Sequence, residues 1–275
     1  EISSIVTFCE NNNIDELYLS LENTSSSEIS KFLVYCDNNF KTLKYIPTKL
    51  DMLSISSKSQ FYGYIPIIPA RKFPLQKSLN KLIKRIFDIV ISLFVIVFIL
   101  YWMIPLIGLL IRLESKGSIF FNQTRNGLYY EEFTCYKFRS MYVNEEANTL
   151  QATKNDVRIT KVGKFIRKTS IDEMPQFINV FFGNMYVCGP RPHMLKLTNE
   201  YEGKVNKFKL RHFIKPGITG MAQTHGYRGE IENNRDIVNR VKYDIFYLEN
   251  WSLLLDIKIV YLTIRNAILG DKKAY

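Results

Sequence analysis

The sequence is poor in the residues that build metal centres and covalent staples. It has four cysteines, Cys9, Cys36, Cys135 and Cys188, and no two form a CxxC pair. The three histidines, His193, His212 and His225, are equally scattered. This argues against a Cys/His zinc site and reads as reduced thiols in a cytosolic compartment. A GxGxxG turn is missing, so a dinucleotide site has no support. No internal repeat is evident. Apolar residues are not scarce, at 47%, which excludes disorder and collagen-like chains. The first residue is Glu1 rather than Met, so further sequence upstream is expected. The most informative absence is charge. The 23 residues from Ile89 to Ile111 carry none, enough for a helix to cross a bilayer. They begin too far from the N-terminus for a signal peptide.

Elsewhere positive charge dominates. There are 37 Lys plus Arg against 26 Asp plus Glu, a net charge of +11. Such an excess fits nucleic acid, an anionic membrane surface or a phosphorylated substrate. Residues 1–70 read as part of a small α/β unit. Ile14–Leu21 alternates like a strand, Ser25–Asn39 carries Ile29, Phe32, Leu33 and Cys36 on one helical side, and Lys41–Ile46 returns as a strand. Pro66, Pro69 and Pro74 then mark a basic linker over 71–85. In the apolar stretch, Pro105 is a kink signal. Lys81, Lys84 and Arg85 precede the stretch, and Arg112 and Lys116 follow it. Positive charge at both ends fits a hairpin entering and leaving by one face; a kinked spanning helix is the other reading. The leg Ile86–Ile104 would be roughly 28 Å long. Residues 114–275 read as a soluble α/β unit. Within it, Trp251, Leu254, Leu255, Lys258, Tyr261 and Arg265 fit either a helix at a membrane interface or core packing.

Chemistry concentrates between Arg158 and Arg191. Asp172 and Glu173 are adjacent carboxylates. Ser170 and Glu173 match a capping box, but Pro175 suits a first helical turn better than a second. Either way a short helix over about 175–182 is expected, with Asp172 kept ionised at its positive end. Around the pair lie Lys137, Arg139, Arg158, Lys161, Lys164, Arg167, Lys168 and Arg191. Arginine forks suit phosphate oxygens. Arg191 stands between two prolines, and Pro216–Gly220, with Gly217 and Thr219, is a turn where backbone can approach a ligand. Carboxylates among arginines suggest a diphosphate substrate with Mg²⁺.

Several blocks occur in order: Lys84-Arg-Ile-Phe-Asp88, Tyr136-Lys-Phe-Arg-Ser-Met141, Asp156-Val-Arg-Ile-Thr-Lys-Val-Gly163, Phe165 through Asp172-Glu-Met-Pro-Gln176, Asn179–Met185, Gly189-Pro-Arg-Pro192, Pro216–Gln223 and Tyr247–Ser252. On these blocks the chain, over about residues 80–275, resembles the bacterial sugar transferases, the monotopic phosphoglycosyl transferases. The resemblance implies a re-entrant membrane hairpin over 86–113 bending at Pro105, followed by a catalytic domain over 114–275 on the cytosolic face of the bacterial inner membrane. It implies transfer of a sugar-1-phosphate from a UDP-sugar to undecaprenyl phosphate. Asp172 would be the nucleophile, with a phosphosugar-aspartyl intermediate and UMP as leaving group. Glu173, with Asp172, would hold Mg²⁺; Arg167 and Arg191 would bind phosphate. Lys137, Arg139, Arg158, Gly217 and Thr219 are further candidates for phosphate or nucleotide contact. The N-terminal α/β piece resembles the nucleotide-fold-like domain of the long members. The run Gly226–Glu230 resembles the glucose-transferring branch, making UDP-glucose the expected donor. Val157, Met221 and Thr224-His225 depart from the family pattern. A homodimer is the family-level expectation. A membrane-anchored module binding anionic lipid or nucleotide-sugar without catalysis is the rival reading; the apolar stretch argues against nucleic acid as partner.

Overall fold

The computed structural model describes residues 2–22, 24–47, 60–144, 156–229 and 233–269. The chain divides into two compact units, Glu1–Phe73 and Pro74–Tyr275.

In the first unit, α1 (Ile2–Asn11) precedes β1 (Glu16–Ser20), α2 (Ser26–Asn38), β2 (Thr42–Ile46), β3 (Gln60–Tyr62) and β4 (Ile65–Pro69). The sheet order is β1-β2-β4-β3, with β1 and β2 parallel. This is the β-α-β arrangement that the alternating apolar pattern requires. Ser25 and Glu28 close α2 with a reciprocal capping box. Phe32 and Cys36 on its inner face pack on Leu43 of β2. Arg71 grips Asp37 with two hydrogen bonds of 2.8 and 2.7 Å, so the start of the expected linker belongs to this unit.

The rest of that linker is largely helix. α3 (Ser78–Val95), a π turn (Ile96–Leu100) and α4 (Tyr101–Glu114) run as one helical segment. Its 37 residues make it, by length and composition, able to cross a membrane. Helical backbone joins the two legs expected over 86–113. Pro105 lies inside α4, and the departure from α geometry comes one turn earlier, where the Tyr101 N–H reaches the Ile96 carbonyl. Proline leaves the carbonyl four residues back without a donor, and a widened turn upstream absorbs the strain. The buried residues Lys84, Asp88, Ser92, Val95, Leu100, Met103, Ile107 and Ile111 step by three or four, except for one step of five across the π turn. The extra residue keeps the buried sides of both legs in phase. Val90, Phe94, Phe98, Tyr101, Leu106, Leu109 and Leu113 are exposed.

Both legs pack on the same unit. Met103, Ile107 and Ile111 form a core with Phe138 and Ile166. At the other end Lys84, fully buried, lies 2.9 Å from both Asp88 and Asp256. The Val187 N–H donates to Asp88, and Tyr247 and Trp251 donate to Asp256. Two carboxylates thus share one lysine out of water; ring donors complete Asp256, while at Asp88 the lysine and the Val187 N–H both meet Oδ1 and Oδ2 has no hydrogen-bond partner among the described residues.

The second unit continues with β5 (Phe120–Asn126) and β6 (Glu132–Phe138), an antiparallel hairpin; α5 (Lys161–Lys168); α6 (Gln176–Phe182); β7 (Tyr186–Cys188), parallel to β8 (Gly217–Thr219); α7 (Leu195–Glu202); α8 (Met221–Thr224); α9 (Asn234–Asn250); and α10 (Leu253–Leu269). On α10, Leu254, Ile257, Tyr261, Ile264 and Ile268 form an exposed apolar line beside exposed Lys258 and Arg265. Trp251 is not at that surface as an interface helix would place it. It is buried against Asp256.

Candidate active site

The site is built where the apolar helix ends. The Glu114 carboxylate accepts from the Lys161 and Val162 N–H groups at 2.6 and 2.8 Å, and Thr160 caps Gly163 at 2.8 Å. These bonds satisfy the free amides of the first turn of α5. After α5 the chain reverses through Ser170, at φ 60°, into a 3₁₀ turn, Ile171–Glu173. Asp172 and Glu173 sit in that turn. The Ser170–Glu173 capping box does not form. The left-handed backbone at Ser170 gives no side-chain cap, its hydroxyl accepts from Arg228, and Glu173 turns to cations. Pro175 opens α6, which spans the helix expected there.

β6 supplies the first cation. Side chains alternate along a strand, so Phe138 enters the core while Lys137 reaches Glu173 Oε1 at 2.7 Å. Asn179 of α6 fixes this register by accepting from the Tyr136 N–H at 3.0 Å and donating to the Thr134 carbonyl at 2.7 Å. The second cation is Arg191, whose Nη1 and Nη2 donate to Glu173 Oε2 and Oε1 at 3.0 and 2.6 Å. Its loop is clamped on its carbonyls. Arg125 donates to Pro192 O at 3.2 Å and Arg211 to Arg191 O at 2.7 Å. Arg211 is backed by Asp244 at 2.9 Å and contacts buried His193. Burial, with the charges of Arg211 and Arg240, holds His193 well below the usual imidazole range, so it stays neutral between them. A third cation, Arg228, lies 3.7 Å from Glu173 Oε2 and donates to Ser170 Oγ at 2.6 Å.

The two carboxylates differ sharply. Burial pushes Glu173 up, but Arg191 and Lys137 outweigh it and hold the group well below the carboxylate range. Asp172 is half-buried and, among the described residues, accepts no hydrogen bond and forms no ion pair. Loss of water and the adjacent Glu173 charge raise it to about 6, despite Lys137, Arg167 and Arg191. The helix field expected to keep it strongly ionised is outweighed by these two effects. Among the described residues Asp172 is thus an unpaired carboxylate beside a pinned one.

Other expected contacts are structural. Arg139 is 6% exposed and donates to the carbonyls of Ser115 and Lys116 at 2.8 and 2.7 Å. It closes the C-terminal end of α4, whose last carbonyls have no helical donor. Arg158 forks onto Asp156, two residues away. A Cβ on Gly217 would stand 2.1 Å from Gly189 N, so that glycine permits the β7–β8 approach. Thr219 Oγ1 meets Thr263 Oγ1 at 2.6 Å, tying β8 to α10. Arg167 donates to Ser140 Oγ at 2.8 Å, and its charge is felt at Asp172. Of the run 226–230, Glu230 lies outside the described residues.

A sequence profile described as "Bacterial sugar transferase" matches residues 79–270. The chain belongs to the bacterial sugar transferase family. Among its relatives is the UDP-glucose:undecaprenyl-phosphate glucose-1-phosphate transferase of Klebsiella pneumoniae, 36% identical over all of this chain and 59% of the relative. The Escherichia coli (strain K12) protein of the same name is 36% identical over 95% of this chain and 56% of its own length. The exopolysaccharide production protein PSS of Rhizobium leguminosarum bv. phaseoli is 36% identical over 70% of this chain and 99% of its own. The chain thus spans less than three-fifths of the length of the first two relatives.

Proposed function

We propose that this chain carries the catalytic unit of an enzyme that transfers a sugar-1-phosphate from a UDP-sugar to undecaprenyl phosphate, releasing UMP. The names of the relatives favour glucose as the sugar and exopolysaccharide assembly as the setting. The observation that carries the chemistry is the contrast between free Asp172 and cation-pinned Glu173 inside a ring of arginines.

In the first step an Asp172 carboxylate oxygen attacks the phosphorus bearing the sugar. An acyl-phosphate bond forms, the bond to the UMP oxygen breaks, and UMP departs with the electron pair. In the second step an undecaprenyl phosphate oxygen attacks the same phosphorus and the carboxylate leaves. Covalent catalysis divides one hard transfer into two easier ones. A carboxyl titrating at about 6 is ionised at neutral pH yet more basic than an ordinary aspartate. Arg191 and Arg167 supply positive charge where phosphoryl oxygens must be held in line.

Mg²⁺ fits the donor set. Each carboxylate oxygen has two lone pairs. Among the described residues those of Asp172 accept no hydrogen bond, and Glu173 Oε2 accepts one, from Arg191, with Arg228 3.7 Å away. Asp172 and Glu173 would hold the ion, with phosphate oxygens completing its shell, and it would neutralise charge on the diphosphate.

The apolar helix would lie in the cytoplasmic membrane as a re-entrant element. Support comes from its two ends, near Lys84 and Ile111, which pack on one compact unit. A helix crossing the bilayer would part them onto opposite faces. The exposed apolar lines of this helix and α10 would meet the lipid on the cytosolic side.

The test is UMP release by purified protein in detergent with Mg²⁺, undecaprenyl phosphate and a panel of UDP-sugars. UMP from one donor, lost with EDTA and with Asp172→Asn, is the expected result. Undiminished release by Asp172→Asn would overturn the mechanism.

A further inference from the structure

Three cations converge on Glu173, and they are not equivalent. Arg191 makes two short bonds to it and Lys137 one. Arg228 stands 3.7 Å off, and its hydrogen bond goes to the neutral hydroxyl of Ser170. Among the described residues the hydrogen bonds to Glu173 come from Arg191 and Lys137, and Arg228 makes none to it. A guanidinium with 23% of its side chain exposed, 3.7 Å from Glu173 and, among the described residues, hydrogen-bonded to a hydroxyl alone, can turn its N–H donors to a ligand.

Its placement is built. The loop that carries it turns through Gly226, at φ 87°, and is fastened to α9 on both sides of Arg228. His225 stacks on Tyr243 with ring centroids 4.8 Å apart. Tyr227 packs on the same ring, and its hydroxyl accepts from Asn239 at 3.1 Å. Arg240 donates to the Gly229 carbonyl at 2.9 Å. Arg240 is itself buried and also contacts His193. Three residues of one helix thus hold Arg228 over Ser170, the residue whose left-handed backbone starts the Asp172–Glu173 turn.

We propose that Arg228 binds phosphoryl oxygens at the Asp172 centre, exchanging its hydrogen bond to Ser170 for one to the substrate. The assignment rests on the phosphoryl-transfer reading of the site. An arginine fork can take two oxygens of one phosphate, which would add a second guanidinium clamp beside Arg191. Two ligands bring that chemistry, the diphosphate of the donor and the phosphate of the lipid acceptor.

The test compares wild type, Arg228→Gln and Arg228→Lys as full chains in detergent. Binding of UDP and of uridine is measured directly, alongside KM for UDP-glucose and for undecaprenyl phosphate. Expected for Arg228→Gln is a loss of tenfold or more in UDP affinity with uridine affinity within twofold of wild type, and partial recovery in Arg228→Lys. A rise confined to the donor KM assigns the contact to the diphosphate. A rise confined to the acceptor KM, with UDP affinity kept, assigns it to the lipid phosphate. Equal losses for UDP and uridine would reduce Arg228 to a loop tether and overturn the proposal, as would unchanged values throughout. If Arg228→Gln does not fold, Arg228→Lys carries the same comparison, because a lysine cannot reproduce the two-pronged contact. Wild-type protein that releases no UMP with any donor, yet binds UDP in an Arg228-dependent way, would sink the enzymatic reading and leave this assignment standing.

Discussion

Arg191 holds both carboxylate oxygens of Glu173, at 3.0 and 2.6 Å, while Asp172, one residue earlier, is held by nothing among the described residues. Two neighbouring carboxylates are thereby given different work by their surroundings. Among the described residues one is ion-paired on both oxygens and the other accepts no hydrogen bond.

The fork geometry makes Arg191→Lys a severe change. A lysine restores the charge but not the paired bonds. Losing the two-pronged contact removes preorganised donors from where phosphoryl charge develops, and the loss should fall on the transition state. We expect kcat to drop by roughly 10²-fold or more with a smaller change in donor KM. Steady-state kinetics with UDP-glucose check it; an unchanged kcat would remove Arg191 from the reaction.

The position of Asp172 sets an acid limb. Its carboxyl is raised to about 6, so protonation below that pH removes the nucleophile, and ionisation above it restores activity. kcat/KM should fall about tenfold per pH unit below that value and level off above it. The inflection belongs to the Asp172–Glu173 pair rather than to one group. A profile flat down to pH 5 would contradict the environment described for Asp172.

Lys84 neutralises two buried carboxylates at once. Lys84→Met should destabilise the protein by about 3–5 kcal/mol, because Asp88 and Asp256 would be left facing each other out of water. Adding Asp256→Asn to Lys84→Met should recover part of that loss. Thermal midpoints of the single and double variants are the measurement; simple additivity would deny the coupling.

Arg139 provides a contrast with Arg191. Arg139→Ala strips donors from the Ser115 and Lys116 carbonyls, at about 1–3 kcal/mol for each group left buried and unpaired. The thermal midpoint should fall while donor KM stays within about twofold. A large KM effect would return Arg139 to the substrate.

Much of this site was legible because its key residues lie in short blocks. Asp172 and Glu173 are adjacent, Arg191 is framed by prolines, and Lys137 follows an alternating strand. The misplaced candidates share one cause. Residue type reveals a charge or a hydroxyl but not the direction in which it faces. Arg139, two positions after Lys137, would share its face had the strand continued. β6 stops at Phe138, and the guanidinium turns to the carbonyls that end α4. Gly217 and Thr219 lie in a turn-like motif whose work is strand pairing. Ser170 looked like a helix cap because the spacing to Glu173 fits, but its backbone is left-handed. Arg228 could not be read at all as part of the dyad. Fifty-eight residues separate it from Ser170, and only the packing of α9 brings them together. In the first unit the β-α-β order followed directly from apolar periodicity, which local sequence records well.

The single five-residue step across Ile96–Leu100 also limits how this helix can change over time. One residue turns an α-helix by about 100°. An insertion or deletion between Val95 and Met103 would rotate one leg against the other, aiming either Lys84 and Asp88 or the Met103–Ile111 side at hydrocarbon. Such an error cannot be relieved locally, since both legs are anchored to the same body. Substitutions among the outward residues should be widely tolerated as long as they remain apolar, whereas the residue count of the segment should be closely conserved among proteins built this way.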